Sequence, residues 1–294
     1  MGLEVVPFFE DQSCTWSYLI ADGGSGAAAV IDPVWVYDPV SGRADEGFTR
    51  KILDRAAEHG WTIAWVLETH AHADHLSSGG LIRERTGAQL AIGRGIRDVQ
   101  ATFRKVYHLP HLEPDGAHFD RLLADGDELP LGGLSIRVME TPGHTADSVS
   151  YVVGDAAFIG DTLFAPGGGS ARCDFPGGDA GRLYDSVQRL HALPPATRLF
   201  LCHDYPAEGA EPRAMVTVAE SRRENIHLKD GTARENYISM RQQRDAKLGM
   251  PKLILPAIQV NVIGGNAPPP EANGVSYLKI PFNTSIREIL GGKP

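Results

Sequence analysis

Between Thr69 and Leu76 the chain reads Thr-His-Ala-His-Ala-Asp-His-Leu, three histidines and an aspartate directly after an apolar run. No other feature constrains the fold as much, because ligands this dense need a rigid support that ends where a short loop begins. The preceding residues, Thr62 to Glu68, are rich in β-branched and apolar side chains and predict a buried strand. Alternation along an extended chain then places His70, His72 and Asp74 on one side and turns His75 elsewhere. One loop can thereby serve two adjacent metal positions. Crowded imidazoles repel one another once protonated and contribute nothing to packing, whereas a divalent cation rewards their proximity.

Other ligands are expected at the ends of other strands. Leu134 to Glu140 alternates apolar and polar residues, breaks at Thr141-Pro142-Gly143 and delivers His144. A hairpin of Ser148–Val153 and Ala156–Ile159 around Gly154-Asp155 ends at Gly160-Asp161. A late apolar run, Arg198 to Cys202, ends at His203-Asp204-Tyr205. Taken singly, His144 reads as a turn residue and Asp161 as a helix cap; their repeated placement at strand ends argues for a common site. Ligation by His203 depends on whether a second ion is held. His59, His108, His111, His118, His191 and His227 lack comparable company and read as surface or packing residues.

The ordered set Thr-His-Ala-His-Ala-Asp-His, Glu-Thr-Pro-Gly-His-Thr, Phe-Ile-Gly-Asp-Thr-Leu-Phe and a late histidine resembles the metallo-β-lactamase fold superfamily, over roughly residues 4 to 205. The resemblance implies an α+β fold, a four-layer αββα sandwich with metal at one sheet edge. Residues 1–294 are expected to form a single domain of this kind, with an irregular C-terminal extension over about 206–294. The coarse pattern agrees, with strands over Glu4–Phe9, Ser17–Ala21 and Ala28–Asp32 and helices over Thr49–Glu58, Leu76–Thr86 and Ala180–Leu193.

Within that superfamily, Ser170-Ala171-Arg172-Cys173-Asp174-Phe175, the helix Leu183-Tyr184-Asp185-Ser186-Val187 and His203-Asp204-Tyr205 resemble the persulfide dioxygenases. This implies one non-haem Fe(II) per chain on His70, His144 and Asp161, a two-histidine, one-carboxylate set that leaves positions open for substrate and O₂. The implied substrate is glutathione persulfide, oxidised to sulfite. In such relatives His72, Asp74 and His75 stay beside the metal, with Asp74 and His75 in catalytic roles. In dinuclear zinc thioester hydrolases like glyoxalase II, the same residues with His203 hold a second ion, so one or two Zn(II) is the competing cofactor reading. The resemblance also implies that Asp174 orients a ligating histidine through its far nitrogen, with Asp32 another candidate for that task. Arg172 is a candidate partner for a glutathione carboxylate, and Tyr205 for donation to substrate near the metal. A third reading is a non-catalytic sulfur carrier using Cys173. Relatives often form dimers, so a homodimer is a further expectation.

Composition sets the remaining bounds. A 294-residue chain with 42% hydrophobic and 22% charged residues has the make-up of a globular enzyme with a large core. Its net charge of −9 argues against nucleic acid as a partner. No run has membrane-spanning length and Met1–Glu10 lacks a leader pattern, so no membrane partner and a cytoplasmic location are expected. The odd, scattered Cys14, Cys173 and Cys202 suggest no disulfide framework, and packing is the favoured role for Cys173 and Cys202. Pro166-Gly167-Gly168-Gly169-Ser170 lacks the lysine of a phosphate loop and is expected to border the site. Residues 34–48 and 94–130 read as loops and short helices over the site edge, 233–247 as a helix, and Pro268-Pro269-Pro270 as the mark of an irregular tail lying on the body or a neighbouring subunit.

Overall fold

A computed structural model describes residues 2–206 and 209–291. The first half runs β1 (Leu3–Glu10), β2 (Thr15–Asp22), β3 (Ala27–Ile31), β4 (Val34–Asp38), β5 (Arg43–Asp45), α1 (Gly47–Glu58), β6 (Thr62–Leu67), β7 (Leu76–Ser77), α2 (Gly79–Thr86), β8 (Gln89–Gly93), α3 (Ile96–Val106) and β9 (Arg121–Leu123). The second half runs β10 (Glu128–Leu131), β11 (Leu134–Glu140), β12 (Val149–Val153), β13 (Ala156–Phe158), α4 (Ala180–His191), β14 (Arg198–Phe200), β15 (Met215–Thr217), α5 (Val218–Glu224), α6 (Arg234–Asp245), α7 (Ile254–Asn261) and α8 (Ile286–Ile289).

Two six-stranded sheets follow, in the orders β1-β2-β3-β6-β8-β9 and β10-β11-β12-β13-β14-β15, beside a three-stranded sheet β5-β4-β7. Strand periodicity shows how they face each other. Tyr18 and Ile20 of β2 point into the core between the sheets, where Tyr151 and Phe158 come from the other side. Leu19 and Ala21 of the same strand point outward, onto the α1, α2, α3 and α7 layer. Likewise Ala157 of β13 and Leu199 of β14 face α4 and α6. A strand covered on both faces has no polar side, which is why all eight residues of β2 are buried. The result is the αββα sandwich, and each fully buried Leu or Phe contributes roughly 2 kcal/mol of transfer free energy.

The two sheets are pinned together close to the site. The Tyr18 hydroxyl donates to the Leu201 and Ala214 carbonyls at 2.5 and 2.9 Å, and Trp16 N donates to Cys202 O at 2.7 Å. Val149 N of β12 donates to Thr69 O at 2.9 Å, and the Tyr151 hydroxyl to Glu68 O at 2.7 Å. These bonds hold β2 against the end of β14 and the end of β6 against the start of β12, so ligands leaving different strands meet.

Three expectations are corrected. Residues 34–48 are not loop: Val34-Trp35-Val36-Tyr37 is strand-prone by composition, and Asp38 closes a β4–β5 turn by accepting from Val40 N and Ser41 N. Residues 94–130 contain the full helix α3, whose buried Ile96, Val99, Phe103 and Val106 follow helical spacing, and the strands β9 and β10. The helix after the histidine motif begins at Gly79, because Leu76 and Ser77 first pair with Trp35 and Val34 of β4. The expected helix at 233–247 is α6, and the tail after Pro270 lies on the body: Lys279 exchanges hydrogen bonds with Gln259, and Ile286 and Ile289 pack against the α3 side. No helix among the described residues is long and apolar enough to cross a membrane.

The α4–α5 contact gives a pH test. His191 is buried, shares a hydrogen bond with the Ser221 hydroxyl at 2.9 Å, and burial pushes its imidazole down to about 4. Unfolded histidine titrates near 6.5, so the unfolded chain takes up its proton first and stability falls as pH drops from about 6.5 toward 4. His191→Gln should therefore flatten the loss of melting temperature between pH 7 and 4.5. An unchanged pH slope would contradict the assignment.

Candidate metal centre

The strand β6 stops at Leu67, and the motif continues as bends up to Leu76. Simple alternation therefore fails beyond the strand. The loop turns His75 back toward His72, with ring centroids 4.1 Å apart, instead of sending it elsewhere. Two groups of histidine and aspartate alone result, each gathered within 4.8 Å: His70, His144 and Asp161, and His72, Asp74, His75 and His203; Cys202 joins two more, with Asp32 and His72 and with Asp161 and His203. Residues from four separate stretches of chain thus meet at one end of the sandwich. His144 leaves the turn after β11, Asp161 sits in a short 3₁₀ turn after β13, and His203 follows β14.

The polar atoms around these ligands fix which nitrogen faces inward. The His144 Nδ1 donates to the Arg172 carbonyl at 2.7 Å, leaving Nε2 toward Asp161 Oδ2 at 3.7 Å. His70 Nε2 lies 3.9 Å from the same oxygen. Both gaps are too long for hydrogen bonds and suit a cation between the atoms. His72 turns its Nε2 to Asp32 Oδ1 at 3.0 Å and keeps Nδ1 inward. His203 directs Nδ1 to the Cys14 carbonyl at 3.2 Å and to the Thr15 hydroxyl at 3.3 Å.

Five inward atoms have no hydrogen-bond partner among the described residues: His70 Nε2, His72 Nδ1, His75 Nε2, His203 Nε2 and Asp161 Oδ1. Buried polar atoms without partners cost about 1–3 kcal/mol each, so a cluster of five, divided between the two groups, is a set of donors that metal binding would engage. The residues present therefore fit a metal. Burial, then repulsion from neighbouring imidazoles, holds His70 and His72 well below the usual histidine range, so both are neutral donors. Burial alone would raise the Asp74 carboxyl, but His203 and His75 outweigh it and hold Asp74 well below the carboxylate range. Burial also opposes charge on His203, yet Asp161 and Asp74 draw its imidazole upward; Asp74 Oδ2 is 3.1 Å away.

Asp32 performs the orienting task. It accepts from Thr69 N at 2.7 Å and from the Thr69 hydroxyl at 2.8 Å as well as facing His72, and it adopts φ of +48°, a conformation Asp tolerates better than most residues. Asp174 does not orient a histidine. Arg172, two residues away, captures its carboxylate in a bidentate pair at 2.6 and 2.7 Å, and the His144 nitrogen takes the Arg172 backbone carbonyl instead. The sequence reading missed Asp147, which holds Ala71 N at 2.8 Å, as well as Thr15 and Asn261. Each acts from a remote stretch with no local signature.

A cavity of about 800 Å³ opens over Asp74, His75, His144 and Asp161. Arg172 lines it but is committed to Asp174 and to the Gly249 carbonyl. Tyr205 lines it too, 61% exposed and stacked parallel on His203 with centroids 5.9 Å apart. Arg244 and Lys252 line the same wall, exposed, and form no salt bridge among the described residues. Gly168 and Ser170 of the glycine-rich segment border the cavity as expected. His227, read as surface or packing, is at the cavity wall, where its Nδ1 accepts from Ser170 N. Cys173 and Cys202 are buried thiols, both pushed up chiefly by burial.

The family model described as Metallo-beta-lactamase superfamily matches residues 14–203. A probable metallo-hydrolase of Burkholderia pseudomallei (strain 1710b) is 49% identical over 292 residues, 96% of this chain and 99% of that protein. A beta-lactamase hydrolase-like protein of Xylella fastidiosa (strain Temecula1) is 45% identical over 276 residues, and this chain spans 64% of its length and is itself 94% covered. The mitochondrial persulfide dioxygenase ETHE1 of Bos taurus is 32% identical over 201 residues, 67% of this chain and 66% of that protein. The crystal structure of ETHE1 from Myxococcus xanthus superposes with a TM-score of 0.72 at 32% identity, covering 90% of this chain and 100% of that one.

Asp32 supplies the test of the metal centre. Asp32→Ala removes the partner of His72 Nε2 and should weaken metal binding by about 10–100-fold in a chelator competition. Unchanged affinity would show that this contact serves folding alone.

Proposed function

This chain belongs to the metallo-beta-lactamase superfamily, and we propose that it is a mononuclear iron persulfide dioxygenase that uses O₂ to oxidise glutathione persulfide. The observation that carries this reading is the His70, His144 and Asp161 group, two imidazoles and one carboxylate whose ligand atoms lie within 4.8 Å of one another, a donor set suited to iron that binds substrate and O₂ together. In the His70, His144 and Asp161 group, the imidazole nitrogens facing the carboxylate stand 3.9 and 3.7 Å from it. In the other group Asp74 stands 3.1 Å from His203 and 3.4 Å from His75. Asp74 thus has imidazole neighbours in the second group, while His72 Nδ1, His75 Nε2 and His203 Nε2 stay without hydrogen-bond partners among the described residues. The likeness to persulfide dioxygenase ETHE1 supports the same reading.

Fe(II) held by His70, His144 and Asp161 would supply open coordination positions for a soft persulfide sulfur and for O₂. Overall, the persulfide, O₂ and water give glutathione, sulfite and two protons. The chain's own residues bind and orient. Arg244 and Lys252, with no partners of their own among the described residues, meet the carboxylates of the thiol carrier; Arg172, tied to Asp174, shapes the wall. Trp35, Tyr37 and Leu253 form an apolar side of the cavity that limits water at the reacting sulfur. Tyr205, stacked on His203 and lining the cavity, would donate its hydroxyl to the bound substrate.

A second reading, a dinuclear zinc hydrolase of glutathione thioesters, draws on the four ligand atoms of the His72, Asp74, His75 and His203 group, which also lie within 4.8 Å of one another. Metal analysis with paired assays separates the two. About one iron per chain and O₂ uptake on glutathione persulfide are expected; two zinc ions with cleavage of S-lactoylglutathione and no O₂ uptake would overturn the dioxygenase. Arg244→Ala and Lys252→Ala should each raise KM for glutathione persulfide about tenfold with kcat little changed. Loss of kcat without a KM effect would contradict the substrate role.

A further inference from the structure

The ligand loop is held from a part of the chain that the family match does not reach. That match ends at residue 203. Asn261, the last residue of α7, lies 58 residues further on (261 minus 203) and is 4% exposed. Its side-chain amide donates to His72 O and to His75 O, both at 2.8 Å, and its side-chain oxygen accepts from Ser77 N at 2.8 Å. No other hydrogen bond to either carbonyl is present among the described residues. All three hydrogen-bonding positions face the loop that carries Asp74 and His75.

A second, independent contact fixes the same region. The turn after α7 presses onto the start of α2 so closely that a Cβ on Gly265 would stand 2.7 Å from Ser77 O and 3.0 Å from Gly79 N. A Cβ on Gly80 would stand 2.5 Å from the Asn266 side chain. Only glycines permit that approach. The far end of the loop is fixed by Asp32, so the backbone between Thr69 and Ser77 is clamped from both ends.

We infer that Asn261 is a positioning residue of the metal centre, through which the C-terminal segment sets the geometry of the ligand loop. An amide suits the task because it donates twice and accepts once without carrying charge. Asparagine in a buried helix end is otherwise a costly choice, and all of its bonds go to the ligand loop. Both ligand groups take a side chain from that loop, so whichever fills first should feel a change at Asn261. The inference rests on the metal centre described above but not on the reaction proposed for it.

The test uses the full chain with Co(II) as the probe, read by its visible spectrum and by competition with a chelator. Asn261→Asp keeps the size, still accepts from Ser77 N and loses both donors. It should weaken Co(II) binding at least tenfold and alter the visible bands, the scale usual for partners that orient ligands. Ile258→Ala, a core deletion in the same helix, should lower the melting temperature while leaving Co(II) affinity within twofold. Where Asn261→Asp does not fold, Asn261→Ser replaces it with the same expectation. Equal Co(II) affinity in wild type and the Asn261 variant, or weakening in both variants in proportion to lost stability, overturns the inference. A wild-type protein that takes up no Co(II) overturns the metal centre itself.

Discussion

Five buried nitrogen and oxygen atoms face one another at the end of the sandwich without hydrogen-bond partners, and every other feature of the site is arranged around that fact. In a protein interior, unpartnered donors and acceptors are strongly disfavoured, and several imidazoles side by side oppose each other's protonation. A divalent cation reverses both penalties, because it needs neutral imidazoles and ionised carboxylates. Burial and mutual repulsion supply the former at His70 and His72, and the histidines around Asp74 supply the latter. At His70, His72 and Asp74 the electrostatics of the cluster and the needs of an ion point the same way.

Holding such a cluster requires a scaffold that does not give. Strands buried on both faces provide it, and the inter-sheet bonds of Tyr18, Trp16 and Tyr151 align the strand ends that bear the ligands. Outside the ligands lies a ring of oxygens: Asp32 on His72, the Arg172 carbonyl on His144, and the Cys14 carbonyl on His203. Each selects the tautomer that aims the free nitrogen inward. Two of the three are backbone atoms, so the fold itself acts as part of the coordination sphere's support.

What the sequence disclosed and what it hid follow from the range of the interactions. The strand Leu134–Glu140 and the helix over 180–191 were legible to within a few residues, because their alternation and helical spacing are local. The seven candidate ligands were legible because chemistry this dense has few other uses, and the structure brings them together in two groups. The helix α3 and the β4–β5 hairpin were overlooked where scattered charges, Pro and Gly obscured an apolar pattern that is nevertheless present. Asn261 and Asp147 could not be found at all, since a partner nearly two hundred or some seventy-five residues away leaves no trace in a local window. Asp174 was misassigned for the opposite reason: a neighbouring arginine offers a bidentate partner at no loop-closure cost.

The chemistry and the C-terminal clamp both presuppose one ion seated among residues from three strand ends. Crystals of iron-loaded protein, measured above and below the iron absorption edge, test that directly. One anomalous peak per chain is expected within about 2.0–2.3 Å of His70 Nε2, His144 Nε2 and the Asp161 carboxylate. Iron found only at other residues, with these three atoms left apart, would contradict it.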